Sequence, residues 1–276
     1  MENELDIERE LRSQGLSPKS WPKVLESIQA RLAPPDWEKF SRLHRNFTGY
    51  RSESTLLRFY GFVFSHGLQI EINGFRFGRL AAILEDLAQE LRPGLSILDI
   101  GAGAGIVARV VRNRFAPKTY VVHDCCPEAR DELKAQGFPV MTPPFPGAVR
   151  NSRTGLSVNN PAPVDPWMPV DGFDLLLCID TLGEINGDDD GLLAKPEGVE
   201  ASTLPDLIEP RYGFAEKLEA WKASLAPNGR LLLWEPFAYP QAMEAVATLL
   251  GNHGWQARLI SRSPYRNYLE LQSIQP

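Results

Sequence analysis

Asp99, Gly101, Gly103 and Gly105 stand at alternate positions inside "ILDIGAGAGIVA" (residues 97–108). An apolar run ends on an acid, three glycines follow, and the chain then takes on the texture of a helix. Glycine admits unusual φ angles and removes side chains where a ligand must meet the backbone. Two nucleotide chemistries fit. A dinucleotide fingerprint, G-x-G-x-x-G/A, can be laid on Gly103, Gly105 and Ala108, but it leaves Gly101 and Asp99 without a purpose. The other reading takes the whole string as acid-x-G-x-G-x-G. The loop then passes under an amino-acid moiety, and Asp99 faces a cationic amine.

These residues need a sheet and a helix to position them. From Leu95 onward short apolar runs alternate with helical stretches: "LSILDI", "GIVARVVRNRF", "TYVVHD", "PEARDELKAQG" and "FPVM". Such alternation predicts βαβ units and a parallel sheet. "FDLLLCID" reads as a central strand. A helix ("GFAEKLEAWKASL"), a turn ("APNG") and a strand ("RLLLWE") follow, then the helix "PQAMEAVATLLGNHG" and two strand-like runs. Residues 1–72 read as a helical N-terminal extension or lid, and 73–276 as the sheet domain. An amphipathic helix from "FRFGRL" onward should stop at Pro93 and Gly94. Two interruptions, at about 142–170 and 186–210, are far longer than ordinary α/β connections, and such loops are usually functional or disordered. The second is rooted directly after the fourth strand and is expected to act as a lid over an acceptor.

The glycine stretch resembles the first motif of the class I S-adenosylmethionine-dependent methyltransferases. Three further stretches resemble that family in order: "YVVHDCCPEA", "FDLLLCIDTLGEI" and "LAPNGRLLLWEP". The resemblance covers residues 95–276. It implies an α/β fold with a doubly wound, seven-stranded, mostly parallel sheet whose last strand is antiparallel. It also implies S-adenosylmethionine as cofactor and S-adenosylhomocysteine as product. Asp124, 19 residues beyond Gly105, would accept hydrogen bonds from both ribose hydroxyls. Ala102, Cys125 and Ile179 fall at positions that would line the cofactor. The chain departs from the family where "VMTPPFPG" offers no acid for adenine, and where Glu184 stands in place of a histidine common in small-molecule members.

The activated methyl donor needs chiefly alignment and exclusion of water, so the family shares no universal catalytic residue. Asp180 and Glu184, at the carboxyl end of the fourth strand, are candidates to orient or deprotonate a nucleophile, although capping the next turn explains them nearly as well. His66, in "FSHGL", is the histidine nearest the substrate-facing segments and the candidate base, against a default of surface or core. Arg109, Arg112 and Arg114 read as a solvated helix face. Asn186, Asp188, Asp190, Gly191 and Glu197 fall at positions of a calcium loop, but Asn186 is not an acid and Pro196 blocks the exiting helix, so a solvated acidic loop and no metal are expected. Aromatic residues such as Phe59, Phe62 and Trp167 favour an apolar acceptor pocket.

The net charge of -6 disfavours nucleic acid or an anionic membrane as partner. Cys125, Cys126 and Cys178 make no disulfide framework and have no metal-site spacing, which suits a reducing, cytoplasmic setting. The start is charged, unlike a secretory signal, and no apolar run approaches the roughly 20 residues of a membrane span. The expected activity is methyl transfer to a small-molecule, peptide or protein acceptor. A non-methyl reaction on the same cofactor, or a non-catalytic scaffold, is the alternative.

Overall fold

The computed structural model describes residues 6–49, 53–141, 169, 171–180, 221–234, 240–261 and 267–273. Six helices come first: α1 (Ile7–Ser13), α2 (Trp21–Arg31), α3 (Pro34–Gly49), α4 (Glu53–Ser65), α5 (Gln69–Phe75) and α6 (Phe77–Glu90). Strands and helices then alternate through β1 (Ser96–Ile100), α7 (Ile106–Phe115), β2 (Thr119–His123), α8 (Pro127–Ala135) and β3 (Val140–Met141). The described chain continues with β4 (Phe173–Ile179), β5 (Leu225–Trp234), α9 (Pro240–Asn252), β6 (Trp255–Ser261) and β7 (Asn267–Ser273).

These strands form one seven-stranded sheet in the order β3-β2-β1-β4-β5-β7-β6. All neighbours run parallel except at β7, which is antiparallel to both β5 and β6. The expected sheet, with its antiparallel last strand, is therefore present. Strand order reverses between β1 and β4, and in open α/β sheets the crevice beyond such a switch point is where ligands bind.

Every residue of β1 is buried, because both faces are covered. Leu98 and Ile100 pack on one side with Val121, Leu176, Leu231 and, from α9, Val246 and Leu250. Ile97 packs on the other side with Leu84 and Leu87 of α6, and Val107 and Val110 of α7. Asp99 shares the Ile97 side by strand alternation. The helix predicted to end at Pro93 and Gly94 stops slightly earlier: Leu91 is already extended, at φ -82° and ψ 144°.

The helices before the sheet divide into two groups. Ile7, Leu11 and Leu16 of the α1 region join the core between α6, α7 and the sheet. Val24, Ile28, Phe40, Phe59, Phe62, Val63 and Leu68 make a separate cluster within α2–α4 and the turn after them. The expected boundary at residues 72/73 falls inside α5. Both long interruptions lie outside the described residues, apart from Pro169 of the first. So do Glu184, the calcium-like loop, Trp167 and most of the helix "GFAEKLEAWKASL". Among the described residues no helix is long and apolar enough to cross a membrane, and no group of three or more His, Cys, Asp or Glu could hold a metal ion.

Candidate functional site

The loop after β1 turns back on the end of β2. The amides of Gly101 and Ala102 both donate to the His123 carbonyl, at 2.8 and 3.0 Å. His123 itself is held by its ring, whose Nδ1 donates to the Met141 carbonyl at 3.1 Å, and burial lowers its pKa. Gly101, Gly103 and Gly105 have φ of 77°, 54° and 69°, the left-handed region where other residues are strained.

The glycines do different work. A Cβ on Gly103 would meet nothing closer than the Gly101 carbonyl oxygen at 4.0 Å. Its side faces open space and can receive a ligand. A Cβ on Gly105 would lie 2.6 Å from Gln136 Oε1 and 2.9 Å from Leu133 Cδ2. Gly105 is thus required by the packing of the loop on α8, a reason that its place in the motif does not disclose.

Asp124 joins the loop to the next turn. Its Oδ2 accepts from the Gly103 amide and its Oδ1 from the Cys126 amide, both at 2.8 Å. The residue is buried. Burial pushes its pKa up, and the two amides, His123 and Arg130 only partly offset this. Each carboxylate oxygen has a second acceptor site beyond the amide it already binds.

Asp99 is also buried, at the end of β1, where its Oδ2 accepts the Tyr120 hydroxyl at 2.8 Å. Burial raises its pKa to about 7, the Tyr120 hydrogen bond opposes the rise, and the charge of Asp124 adds to it. The Tyr120 hydroxyl in turn is pushed well above its usual range by burial and by Asp99. Two acids therefore converge on one loop, each holding its proton more tightly than in water. Ala102, Cys125 and Ile179 are half-buried around this edge. Cys126 is buried, its thiol donates to Glu128 at 3.2 Å, and burial pushes its pKa up to about 12, so it is a poor nucleophile.

Asp180 follows β4 with φ 51°, and its amide donates to the Trp234 carbonyl at 2.7 Å. Its carboxylate is gripped by two guanidiniums. Arg79 Nε lies 2.9 Å from Oδ2, Arg79 Nη2 bonds Oδ1, and Arg76 Nη2 bonds Oδ2. Burial alone would raise the Asp180 pKa, but the hydrogen bonds and charges of Arg79 and Arg76 outweigh it and hold the carboxyl below the usual range. These partners lie more than a hundred residues upstream and carry no motif, so sequence reasoning had no signal for them.

His66 lies in the helical group. Its ring stacks on Phe62 at 3.9 Å between centroids, Nδ1 donates to the Phe62 carbonyl at 2.9 Å, and Nε2 faces Asp36 at 3.9 Å. The expected solvated arginine face holds only at Arg114, which is exposed; Arg109 and Arg112 are half-buried. Arg112 sits over the Phe138 ring at 3.9 Å, and Arg114 pairs with Glu10 at 3.0 Å. Arg109 turns back to the glycine loop, donating to the Ala104 carbonyl at 3.0 Å. A helix starting from a tight loop brings its outer face against α1 and α8, and that contact is invisible in a helical pattern.

A family model described as a methyltransferase domain matches residues 72–271. No curated protein matches the sequence. The chain is similar to several solved structures. The DhpI–SAH complex shares 13% identity, covering 80% of this chain and 96% of that one, with a TM-score of 0.49. A SAM-dependent methyltransferase from Aquifex aeolicus shares 15%, covering 70% and 89%, with a TM-score of 0.43. One from Bacteroides fragilis, in complex with S-adenosyl-L-homocysteine, shares 16%, covering 70% and 77%, with a TM-score of 0.40. The family match takes in well over half of the chain, which therefore belongs to the methyltransferase-domain family and is an S-adenosylmethionine-dependent enzyme.

Proposed function

We propose that this methyltransferase holds the amino-acid part of S-adenosylmethionine on the Gly101–Gly105 loop and its ribose on Asp124, and delivers the methyl to an acceptor at the carboxyl edge of β4. The observation that carries this reading is the open face of Gly103 beside a buried carboxylate with acceptor capacity left. The residues fit the group: the loop leaves space where a side chain would stand, and the flanking acids suit a ligand with an ammonium and two hydroxyls. The cofactor supplies a methyl already activated on a sulfonium.

The chain's own residues then bind, orient and exclude water. Asp124 accepts the two ribose hydroxyls on the lone pairs its amide partners leave. Asp99, with a pKa of about 7, gives up its proton when a cation comes near. Ala102, Cys125 and Ile179 wall the cofactor with half-buried, mostly apolar surface. Asp180, locked between Arg76 and Arg79, ties the start of α6 to the end of β4 and so positions the edge, a role that leaves it no free oxygen for proton abstraction. Glu184 would orient the acceptor from the segment after β4. His66 has no part in this reading, since its ring is engaged within the helical group. The acceptor is a small molecule, a peptide or a protein side chain.

Calorimetric titration tests the cofactor. S-adenosylhomocysteine should bind and NAD should not; tight NAD binding without S-adenosylhomocysteine binding would sink the proposal. Methyl-labelled cofactor with candidate acceptors of each class, read by mass spectrometry, identifies the acceptor.

A further inference from the structure

We infer that Gln14, Arg109 and Gln136 form a clamp that holds the glycine loop in its binding shape, which makes α1, outside the family match, a working part of the cofactor site. The inference rests on the cofactor reading above for its functional half only.

The clamp is built from side-chain hydrogen bonds that converge on the Ala104 carbonyl. Arg109 Nη1 donates to the Ala104 carbonyl at 3.0 Å and to Gln136 Oε1 at 2.6 Å. Its Nε donates to Gln14 Oε1 at 2.9 Å. Gln136 Nε2 donates to the same Ala104 carbonyl at 3.2 Å and to Glu132 Oε1 at 2.9 Å. Ala104 lies between the left-handed Gly103 and Gly105, so two donors meet on the one carbonyl that links them. The amides of Gly101 and Ala102 tie the loop to β2 and that of Gly103 ties it to Asp124 just beyond, while the clamp ties its far end to α8 and α1.

The electrostatics show what these bonds are for. Burial lowers the Arg109 pKa, with Glu132 pulling it up and Arg112 pushing it down. Yet all three groups that accept directly from its guanidinium are neutral. A half-buried cation satisfied by two carboxamides and a carbonyl gains geometry more than charge pairing. Gln14 caps the C-terminus of α1, so the position of α1 enters the loop through one side chain. A second contact serves as an internal control: Glu10 of α1 pairs with Arg114 in the last turn of α7, at the end away from the loop. If α1 favours the ordered loop, ordering the loop must favour docked α1 by the same factor.

Three variants of the full chain test this: Arg109→Met, Gln14→Ala and Glu10→Gln. Gln14→Ala alters only the end of a short helix and keeps the test alive if Arg109→Met fails to fold. The first readout is amide hydrogen exchange at residues 103–106 without ligand; the second is the dissociation constant of S-adenosylhomocysteine. Arg109→Met should speed loop exchange and weaken binding about ten-fold, and Gln14→Ala about three-fold, as fits the loss of one or two hydrogen bonds. Glu10→Gln should lower the urea midpoint and move loop exchange and affinity less than Gln14→Ala does. Unchanged loop exchange in the first two variants overturns the clamp. So does a freed loop with unchanged affinity, or an equal effect in Glu10→Gln. If the unaltered protein binds no S-adenosylhomocysteine, the cofactor reading fails, and the exchange data still judge the clamp.

Discussion

Replacing Asp99 by asparagine should make the protein more stable at neutral pH, and the gain should vanish in acid. In the fold burial pushes the Asp99 carboxyl up to about 7, against 3.8 for an unburied aspartate; the Tyr120 hydrogen bond opposes the rise and the charge of Asp124 adds to it. Below pH 4 both folded and unfolded chains carry the proton, and Asp99 costs nothing. Between pH 4 and 7 the unfolded chain loses the proton and the folded chain keeps it, so stability falls as pH rises. Above pH 7 the loss is complete and level. A gap of that size corresponds to about 4 kcal/mol at most, and relaxation around a buried acid brings the expectation to about 2–4 kcal/mol. Asparagine keeps an oxygen for the Tyr120 hydroxyl and has no charge to desolvate. Urea unfolding of both proteins at pH 4, 5.5 and 8, followed by circular dichroism, reads the difference directly. Subtracting one protein from the other cancels the other titrating groups. A difference that is flat across this range, or an asparagine variant less stable at pH 8, would refute the account of Asp99. The same residue has a ligand signature: at pH 6.5, S-adenosylhomocysteine should release a proton on binding to the unaltered protein and none on binding to Asp99→Asn, measured by calorimetry in two buffers of different ionisation enthalpy.

Asp124→Ala should weaken S-adenosylhomocysteine by ten-fold or more while the fold persists, since each charge-assisted hydrogen bond lost is worth about 1.5–3 kcal/mol; calorimetry with an unchanged dissociation constant would place the ribose elsewhere. Gly105→Ala should lower the unfolding free energy by about 2–5 kcal/mol, because its Cβ would strike Gln136 and Leu133 on top of the left-handed backbone cost. Gly103→Ala should cost only the left-handed backbone term, about 1–2 kcal/mol, yet lose cofactor affinity, because its Cβ would enter the open space proposed above for the ligand. Equal stability losses with equal affinities in the two variants would contradict the division of labour within the loop.

Local pattern carried the fold a long way. Buried parallel strands announce themselves as short apolar runs, as in "FDLLLCI", and the alternation with helices implies the sheet. The loop residues were legible for the same reason: an acid and three glycines within seven positions are a local feature. What stayed hidden was contact between distant segments. Asp180 sits at the right strand end, but nothing in "CIDTLG" says that Arg76 and Arg79 will saturate it. Arg109, Arg112 and Arg114 have the spacing of an exposed face, and only the arrival of α1 and α8 half-buries Arg109 and Arg112 while Arg114 stays exposed. The α1 stripe of Ile7 and Leu11 is too short to reveal which core it joins, and it joins that of the sheet.

Asp99 also bears on the choice between the two nucleotide chemistries. A dinucleotide would place a pyrophosphate on the turn into α7. There the chain offers no side-chain cap at Gly105, which favours an anion, but it also sets two buried acids against the loop. A diphosphate beside them would force both to stay protonated, and Asp124 could not then serve its two amides as a full carboxylate. A ligand with an ammonium relieves the same strain: it lets Asp99 ionise and weakens the repulsion between the two acids. The fold thus carries a cost near neutral pH that a cation removes, and the gain appears as binding energy. A chain built for pyrophosphate would have no use for an acid at position 99, whereas one built for the amino-acid end of S-adenosylmethionine gains affinity from it.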